Sequence, residues 1–367
     1  MSNHWRKVDA NSTGGVVALL PFLVEGALSL NLLRALRAEG ADVAAAFCLK
    51  GGGGYTADPM ADFAAENRLI DLSSTPPHLL GERLKREFEA RGTGLALQIG
   101  AFALYPVLPY LKQQLPALRV VDVLYNEIGH TLNHFLYEPA FDGVIVESHH
   151  MARFVRDSSL KPDPNVRVVE SGVDLDLFSP KPGRLGTEPL RIGYIGRFSV
   201  EKNPLGFIDL FERLAERLPR VAATMAGEGP LAEEVRVRVK ASPVSGRLAY
   251  LGRVPSVSEA LRSIDVLVVP SLLDGRPNIV MEASACGVPV IGAPVGGIPE
   301  LIEDGVNGYL AAPGECERIA SWLRAWDEDP SLLAAVSRAS REYAEARFDR
   351  RRMISNYADA FAHFAPA

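Results

Sequence analysis

Apolar positions along the chain follow two spacings in turn, and this alternation predicts a mixed α/β protein. Short runs rich in valine, isoleucine and leucine have the length of buried strands. Between these runs, apolar residues recur at helical spacing, as in the segments 28–38 and 205–218. Such alternation of strands and helices is typical of parallel sheets that are covered on both faces. The predicted strands are 16–22, 41–48, 95–99, 120–125, 144–147, 190–195, 222–226, 249–252, 265–270 and 289–292.

The alternation breaks around 180–189 and starts again after this segment. Two prolines and a glycine within 179–183 indicate a turn, and we place the domain linker there. We therefore predict two doubly wound domains, 1–179 and 180–345, each of a size that can bury its own core. A last helical stretch is predicted from about 331 to 364.

Composition narrows the function classes without selecting one. The chain has 367 residues, of which 47% are hydrophobic and 23% charged, as in an ordinary globular protein. Its formal net charge of -6 argues against nucleic acid as a partner, because duplex binding usually needs a basic surface. Cys48, Cys286 and Cys316 are odd in number and far apart, which fits a reducing compartment.

Two further features bear on localisation. Residues 1–11 lack the apolar run of a secretory signal, and the apolar stretch 16–24 is too short to span a bilayer. We therefore expect a cytoplasmic protein. A basic cluster, Arg350, Arg351 and Arg352, lies in the last helical stretch. We interpret it as a solvated helix face, and the alternative is a peripheral contact with the inner face of an anionic membrane.

Two cations follow the predicted strand 190–195 directly. Arg197 and Lys202 lie with Gly196 in the loop that leads to the helix 205–218. Ligands of doubly wound folds bind at the carboxyl edge of the sheet. Arginine can clamp a phosphate at two points, whereas lysine acts as a point charge. Position and spacing therefore favour a diphosphate site over the alternative of two ordinary surface cations.

Two carboxylates eight positions apart, Asp274 and Glu282, indicate a second part of the same site. Pro277 suits the first turn of a helix, because it lacks an amide that would be left unpaired there. The amides of Asn278 and Ile279 would then face an anion. Glu282 lies about one turn further along, on the same side of the helix as Asn278. A carboxylate there can accept hydrogen bonds from both vicinal hydroxyls of a ribose. The alternative is a helix acid that is merely capped or paired.

These segments resemble the second domain of the retaining, family-four glycosyltransferases. Residues 196–204 are similar to the phosphate-binding opening of that domain, and residues 271–283 are similar to its acidic donor motif. The segments 286–290, 296–302 and 305–308 continue the pattern in order. The resemblance covers nearly all of the second domain and is much thinner in the first.

The resemblance implies the GT-B architecture, in which two Rossmann-like doubly wound domains face each other across a cleft. The segment 346–367 would then be a helix that crosses back to the first domain. The implied activity transfers a sugar from a UDP- or GDP-linked donor to an acceptor hydroxyl with retention of configuration, and it needs no metal or other cofactor. The acceptor would be a carbohydrate or a lipid-linked molecule, as in glycolipid or polysaccharide biosynthesis.

The resemblance also assigns roles to individual residues. At Asp274 the family usually has a glutamate that contacts the donor sugar, so this chain presents a shorter carboxylate there. Arg253 lies where the backbone of family members meets the nucleobase, and a plain loop residue is the alternative. The residues implied as catalytic are Arg197, Lys202, Asp274 and His130, and those implied as donor-binding are Gly26, Gly196, Arg253, Gly275, Arg276, Pro277, Asn278, Ile279 and Glu282.

The first domain offers fewer candidates. Gly26 is the remaining member of a glycine pair that approaches the donor phosphate in the family. His130 follows the strand 120–125 and could bond a sugar hydroxyl, although a structural histidine is an equally good interpretation. His134, His149 and His150 are weaker candidates of the same kind.

Two apparent motifs are not interpreted as ligand sites. Asp174 and Asp176 have the spacing of a metal-binding pair in other glycosyltransferases, but here they fall in the predicted interdomain turn. Gly227 and Gly229 match only part of a dinucleotide-binding motif, which is weak evidence alone. Two other functions remain open, a nucleotide-sugar epimerase with the GT-B fold and a non-catalytic nucleotide-sugar-binding protein.

Overall fold

The computed structural model describes residues 15–21, 28–38, 40–49, 61–180 and 189–365. The chain divides into two compact units, Met1–Glu170 with Met353–Ala367, and Ser171–Arg352. The division falls earlier than the predicted boundary at 179, because Val173 and Phe178 pack in a core cluster of the second unit. Most of the predicted linker, 181–188, lies outside the described residues.

The described part of the first unit forms a parallel sheet. Its strands are β1 Gly15–Leu20, β2 Val43–Phe47, β3 Leu69–Asp71, β4 Thr93–Gln98, β5 Arg119–Leu124, β6 Gly143–Val146 and β7 Val166–Val168. Among the described residues, these seven strands are ordered β3-β2-β1-β4-β5-β6-β7. The α-helices between them are α1 Leu28–Ala38, α2 Ala61–Ala65, α3 Leu80–Arg91, α4 Leu108–Gln114, α5 Thr131–Leu136 and α6 His149–Ser158.

The second unit repeats this plan with a sheet of six strands in its described part. These are β8 Arg191–Ile195, β9 Ala222–Ala226, β10 Leu248–Gly252, β11 Val266–Val269, β12 Val290–Gly292 and β13 Gly308–Leu310, in the order β10-β9-β8-β11-β12-β13. All the pairings are parallel. The α-helices are α7 Pro204–Arg217, α8 Ala232–Ala241, α9 Val257–Arg262, α10 Asn278–Ala285, α11 Cys316–Glu328 and α12 Pro330–Arg347, and α13 Arg350–Phe364 follows.

Both faces of the first sheet are covered, as its continuous apolar strands predict. Val17 and Leu19 of β1 belong to one buried cluster, whereas Ala18 and Leu20 belong to another. Successive side chains of a strand point to opposite faces, so the two clusters lie on the two sides of the sheet. Burying each leucine contributes roughly 1.5–3 kcal/mol to stability.

The predicted helical stretch 331–364 is found as two helices, α12 and α13, and the second of these lies in the segment 346–367 that the resemblance assigned to a helix. Phe348 is buried between them, and Asp349 forms a β-bridge with Val173. Beyond this break, buried residues of α13 join a core cluster of the first unit: Met353, Ile354, Tyr357, Ala360, Phe361 and Phe364. The end of the helix packs closely on the sheet, since a Cβ atom at Gly143 would lie 2.3 Å from the Phe364 ring.

The basic cluster at the start of α13 is engaged within the second unit. Arg350 lies 2.8 Å from Asp174, and Arg351 pairs with Asp349. Arg352 donates to the carbonyl of Ala346. The other carboxylate oxygen of Asp174 accepts hydrogen bonds from the backbone amides of Asp176 and Leu177. Asp174 is therefore a turn-forming residue in this structure, and the membrane contact of the cluster stays a prediction.

Candidate functional site

The loops that follow β8 and β11 form one surface at the carboxyl ends of these strands. The two strands are neighbours, and the strand order reverses between them, which is where doubly wound sheets bind ligands. The amides of Leu272 and Leu273 donate to the carbonyl of Glu201 over 2.8 and 3.3 Å. The side chain of Asn203 donates to the carbonyl of Pro270 over 3.0 Å. These bonds fix the two loops against each other.

This arrangement brings Lys202 and Asp274 together. Lys202 Nζ donates to Asp274 Oδ2 over 2.6 Å, and Ser271 Oγ donates to the same oxygen over 3.1 Å. Asp274 is buried, with 6% of its surface exposed, whereas Lys202 is half-buried. Ser271 lies inside the predicted donor motif, but no role was assigned to it. Its position three residues before the carboxylate is the signal that could have indicated one.

Arg197 is placed differently from Lys202. Its side chain is exposed, and no described residue forms a hydrogen bond or an ion pair with its guanidinium group. Its carbonyl accepts a hydrogen bond of 2.7 Å from the hydroxyl of Tyr194, which fixes the backbone of the loop. Gly196, which precedes it, donates its amide to Ala226 at the end of β9 over 3.0 Å. A fixed loop therefore presents an exposed cation beside the central strands.

Two glycines allow the loops of the site to approach each other. A Cβ atom at Gly227 would lie 1.8 Å from the carbonyl oxygen of Gly196, and one at Gly296 would lie equally close to the carbonyl oxygen of Asp274, at 1.8 Å. Real Cβ atoms do not come so near, so any side chain would displace the loop that carries Arg197 or the loop that carries Asp274. The incomplete motif around Gly227 thus has a packing role that sequence analysis missed.

Glu282 lies on α10, one turn beyond Asn278. The residue is half-buried, and no described residue donates a hydrogen bond to its carboxylate. Burial raises the pKa of this carboxyl group to about 7. Pro277 stands immediately before α10 and not within its first turn, a difference of one position from the prediction. The side-chain oxygen of Asn278 is buried and has no hydrogen-bond partner in the described part of the chain.

The remaining donor-site candidates of the second unit fall into two groups. Gly275 and Arg276 are buried, and the Arg276 guanidinium carbon lies 5.9 Å from the centre of the Phe348 ring. Ile279 is half-buried at the start of α10. Arg253, by contrast, has a side chain that is 75% exposed, and it lies 3.9 Å from Glu228. The structure therefore brings Arg197, Lys202 and Asp274 into neighbouring loops, but it places Arg276 in the interior.

In the first unit, His130 lies just before α5 and packs near the end of β4. Its Nε2 atom is 3.1 Å from the carbonyl oxygen of Val123. A Cβ atom at Gly100 would lie 3.2 Å from its Nδ1 atom, so the ring fills the space that this glycine leaves. His130 is half-buried. The other first-unit candidate, Gly26, lies outside the described residues.

The weaker histidine candidates have mainly structural surroundings. His134 is buried, and its Nδ1 atom lies 3.0 Å from Asp122, which also accepts from the hydroxyl of Tyr105. Burial raises the pKa of the Asp122 carboxyl group. The ring of His150 is bonded to Glu127, and His149 is exposed.

Comparison with known proteins adds to this geometry. Residues 178–343 match the family model described as Glycosyl transferases group 1. The matched segment lies within the second unit and contains Arg197, Lys202, Asp274 and Glu282. The match confirms that the second unit resembles glycosyltransferases of group 1. Retention of configuration stays a prediction.

Two relatives illustrate the sequence similarity. The D-inositol 3-phosphate glycosyltransferase of Mycolicibacterium smegmatis is 33% identical over 199 residues, which cover 49% of this chain and 43% of that protein. The Vi polysaccharide biosynthesis protein VipC/TviE of Salmonella typhi is 26% identical over 174 residues, covering 47% and 30%. The chain spans about half or less of the length of the curated relatives it matches.

Similarity of structure extends over almost the whole chain. The crystal structure of Anabaena HepE in complex with UDP has a TM-score of 0.77 at 19% identity, and it covers 95% of this chain and 100% of that one. The structure of HepE in complex with UDP-glucose has a TM-score of 0.77 at 18% identity over the same shares. With its two Rossmann-like parallel-sheet units, this chain has the GT-B fold.

Two features are absent from the described residues. In that part of the chain, no helix combines the length and apolar character needed to cross a membrane. The described ranges also contain no group of three or more histidine, cysteine, aspartate or glutamate side chains that could hold a metal ion.

Proposed function

We propose that this protein is a glycosyltransferase that moves a sugar from a nucleotide-sugar donor to an acceptor hydroxyl. The observation that carries the proposal is the set of groups at the carboxyl ends of β8 and β11. An exposed cation, Arg197, and a second cation, Lys202, lie in one fixed loop. Glu282, an acid with no hydrogen-bond partner among the described residues, belongs to the same matched segment. Cations suit a diphosphate, and an unpaired carboxylate suits vicinal hydroxyls.

The two cations would act on the leaving group. Breaking the bond between sugar and phosphate transfers negative charge to the diphosphate, and Arg197 and Lys202 would stabilise this charge more in the transition state than in the ground state. Fixed cations could supply this stabilisation without a metal ion. The start of α10 would add its partial positive charge, because no described residue accepts a hydrogen bond from the amides of Asn278 and Ile279.

We further propose that transfer retains the anomeric configuration. The acceptor oxygen would attack the face of the sugar that the diphosphate leaves, and the departing phosphate would take up the acceptor proton. This route needs no protein base beside the acceptor. His130 would bond a sugar hydroxyl and hold it in place.

The donor is best supported as a UDP sugar, with a GDP sugar as the second possibility. The support for uridine is that the HepE structures similar to this chain contain UDP and UDP-glucose. The acceptor would be a carbohydrate or a lipid-linked glycan, since one relative is named for polysaccharide biosynthesis.

Thermal unfolding with UDP, GDP, TDP and ADP, each without metal and then with magnesium, tests the donor site. A ligand at a hundred times its dissociation constant adds about 2.7 kcal/mol of stability, which raises the midpoint by several degrees. We expect UDP to stabilise the protein without metal. Failure of all four nucleotides would contradict the proposal. Stabilisation by UDP together with no release of UDP from any UDP sugar, across an acceptor panel, would instead favour a non-catalytic binding protein.

A further inference from the structure

Asp274 uses its two carboxylate oxygens differently. Oδ2 accepts from Lys202 Nζ over 2.6 Å and from Ser271 Oγ over 3.1 Å. No described residue donates a hydrogen bond to Oδ1. The backbone of Asp274 is held as well, because its carbonyl accepts the amide of Gly297 over 3.1 Å. Oδ2 is thus hydrogen-bonded within the protein, whereas Oδ1 is able to accept a hydrogen bond from a ligand.

The carboxylate also opposes the charge of the proposed ligand. The ammonium group of Lys202 forms no other hydrogen bond or ion pair with the described residues, so Asp274 neutralises the cation on which the diphosphate would depend. A diphosphate that approaches Lys202 therefore meets a buried negative charge directly beside it. Like charges at such distances repel strongly in a poorly solvated site.

We propose that Asp274 selects the sugar-bearing donor over the sugar-free nucleoside diphosphate. This inference rests on the proposed function and goes beyond it. A nucleotide sugar compensates for the repulsion by donating a sugar hydroxyl to Oδ1. A nucleoside diphosphate has no such hydroxyl, and its terminal phosphate carries about one additional negative charge near neutral pH. Asp274 therefore weakens binding of the product and favours its release after transfer.

A purely structural role makes the opposite prediction. If Asp274 only positioned Lys202, removing the charge of Asp274 would leave the lysine side chain without a fixed position. Every nucleotide would then bind more weakly. If Asp274 repels the diphosphate, removing its charge strengthens binding of the nucleotide that lacks a sugar. The sign of one affinity change separates the two roles.

The test is calorimetric titration of the full chain with UDP and with UDP-glucose, in wild type and in Asp274→Asn, at constant ionic strength. We expect Asp274→Asn to bind UDP about fivefold more tightly, because a neutral amide does not repel the diphosphate. We expect it to bind UDP-glucose no more tightly than wild type does. The ratio of the two dissociation constants, UDP over UDP-glucose, should therefore fall by about fivefold or more. Asp274→Glu retains the charge, so its affinity for UDP should stay within about twofold of wild type.

The matched control is Asp209→Asn on α7. Asp209 belongs to the same unit and also pairs with a cation, Arg238, over 3.0 Å, but its side chain is 62% exposed. Its substitution should change neither affinity. Weaker binding of UDP to Asp274→Asn, or an unchanged ratio, would overturn the inference. If wild type binds GDP and not UDP, the same titrations use GDP and GDP-mannose. Wild type that binds no nucleotide contradicts the proposed function itself, which is a different outcome.

Discussion

The two cations of the proposed site have unequal surroundings, and this difference matters at the scale of single residues. Arg197 is exposed and makes no ion pair with the described residues, whereas Lys202 is paired with Asp274. A ligand would gain the full interaction with Arg197, but it would have to compete for Lys202. Hydrogen bonds to charged groups contribute about 1.5–3 kcal/mol each, so the contribution of each side chain to nucleotide affinity should be measurable separately.

We predict that Arg197→Ala and Lys202→Ala each weaken binding of UDP by about tenfold or more, because each removes a charge-assisted contact to phosphate. Titration calorimetry measures this directly, and transfer rates should fall in parallel. Lys240→Ala is the control, since Lys240 is an exposed lysine on α8 of the same unit. Full affinity and full transfer rate in both site variants would contradict the proposed mechanism.

Glu282 leads to a prediction about stability and pH. Burial raises the pKa of its carboxyl group to about 7 from an ordinary value of 4.5. Between these values the unfolded chain ionises this residue while the folded chain keeps it protonated. The free energy of unfolding therefore falls as pH rises from 4.5 to 7, and the loss is complete above that window.

Glu282→Gln should remove this loss. The variant should gain stability relative to wild type as pH rises, by about 2 kcal/mol at pH 8 when partial solvent screening is allowed for. Urea unfolding of both proteins between about pH 4 and pH 8 measures the difference. Glu234→Gln, at an exposed position of α8, is the matched control. A pH-independent difference for Glu282→Gln would show that this carboxyl group titrates normally.

At the scale of elements, strands with long apolar runs are predictable and short edge strands are not. The bounds of strands such as β5 and β8 agree with the predicted segments 120–125 and 190–195 to within one residue at each end. The sequence analysis missed β3, β7 and β13, which have three residues each and end their sheets. A strand of three residues is too short for a period to show, and its pairing depends on a distant neighbour.

The site shows the same limit. The positions of Arg197 and Lys202 after β8 follow from the sequence, because a strand followed by a helix determines where the loop lies. The pairing of Lys202 with Asp274 does not follow, since it depends on hydrogen bonds between two loops that are distant in the chain. The burial of Arg276 was also not predictable from the motif, because it depends on packing near Phe348.

The close contact between the loops after β8 and β9 can be tested by adding one methyl group to the second of these loops. Gly227→Ala would place a Cβ atom 1.8 Å from the carbonyl oxygen of Gly196, so the loop that carries Arg197 must move. We expect a loss of about 2 kcal/mol or more in stability, together with weaker binding of UDP. Gly246→Ala is the control, because a Cβ atom there would meet no heavy atom within 4 Å. Equal stability and equal UDP affinity in the two variants would refute the packing role of Gly227.

At the scale of the whole molecule, each unit has its own sheet and its own buried clusters, and the cations and acids proposed to bind the nucleotide, Arg197, Lys202, Asp274 and Glu282, lie in the second unit. The chain nevertheless begins and ends in the first unit, because α13 contributes to that core from Met353 onward. The last helix should therefore matter for the stability of the first unit and not for the affinity of the second unit for a nucleotide.

Phe361→Ala tests this separation. Phe361 is buried in the first unit, and its truncation should cost about 3–5 kcal/mol of that unit's stability by leaving a cavity. Trp322 and Trp326 both lie on α11 of the second unit, so in a Trp5→Phe background their fluorescence reports that unit, while circular dichroism reports both. We expect Phe361→Ala to lower the first-unit transition in circular dichroism and to leave the fluorescence midpoint unchanged.

Saturating UDP identifies the unit that binds it, because a ligand stabilises only that unit. UDP should raise the fluorescence midpoint equally in wild type and in Phe361→Ala, and the dissociation constants of the two proteins should agree within about twofold. Asp359→Ala, at an exposed position of the same helix, should change neither transition. If Phe361→Ala lowered the fluorescence midpoint or the affinity for UDP, the two cores would be energetically coupled, and the second unit could not be treated as an independent donor-binding domain.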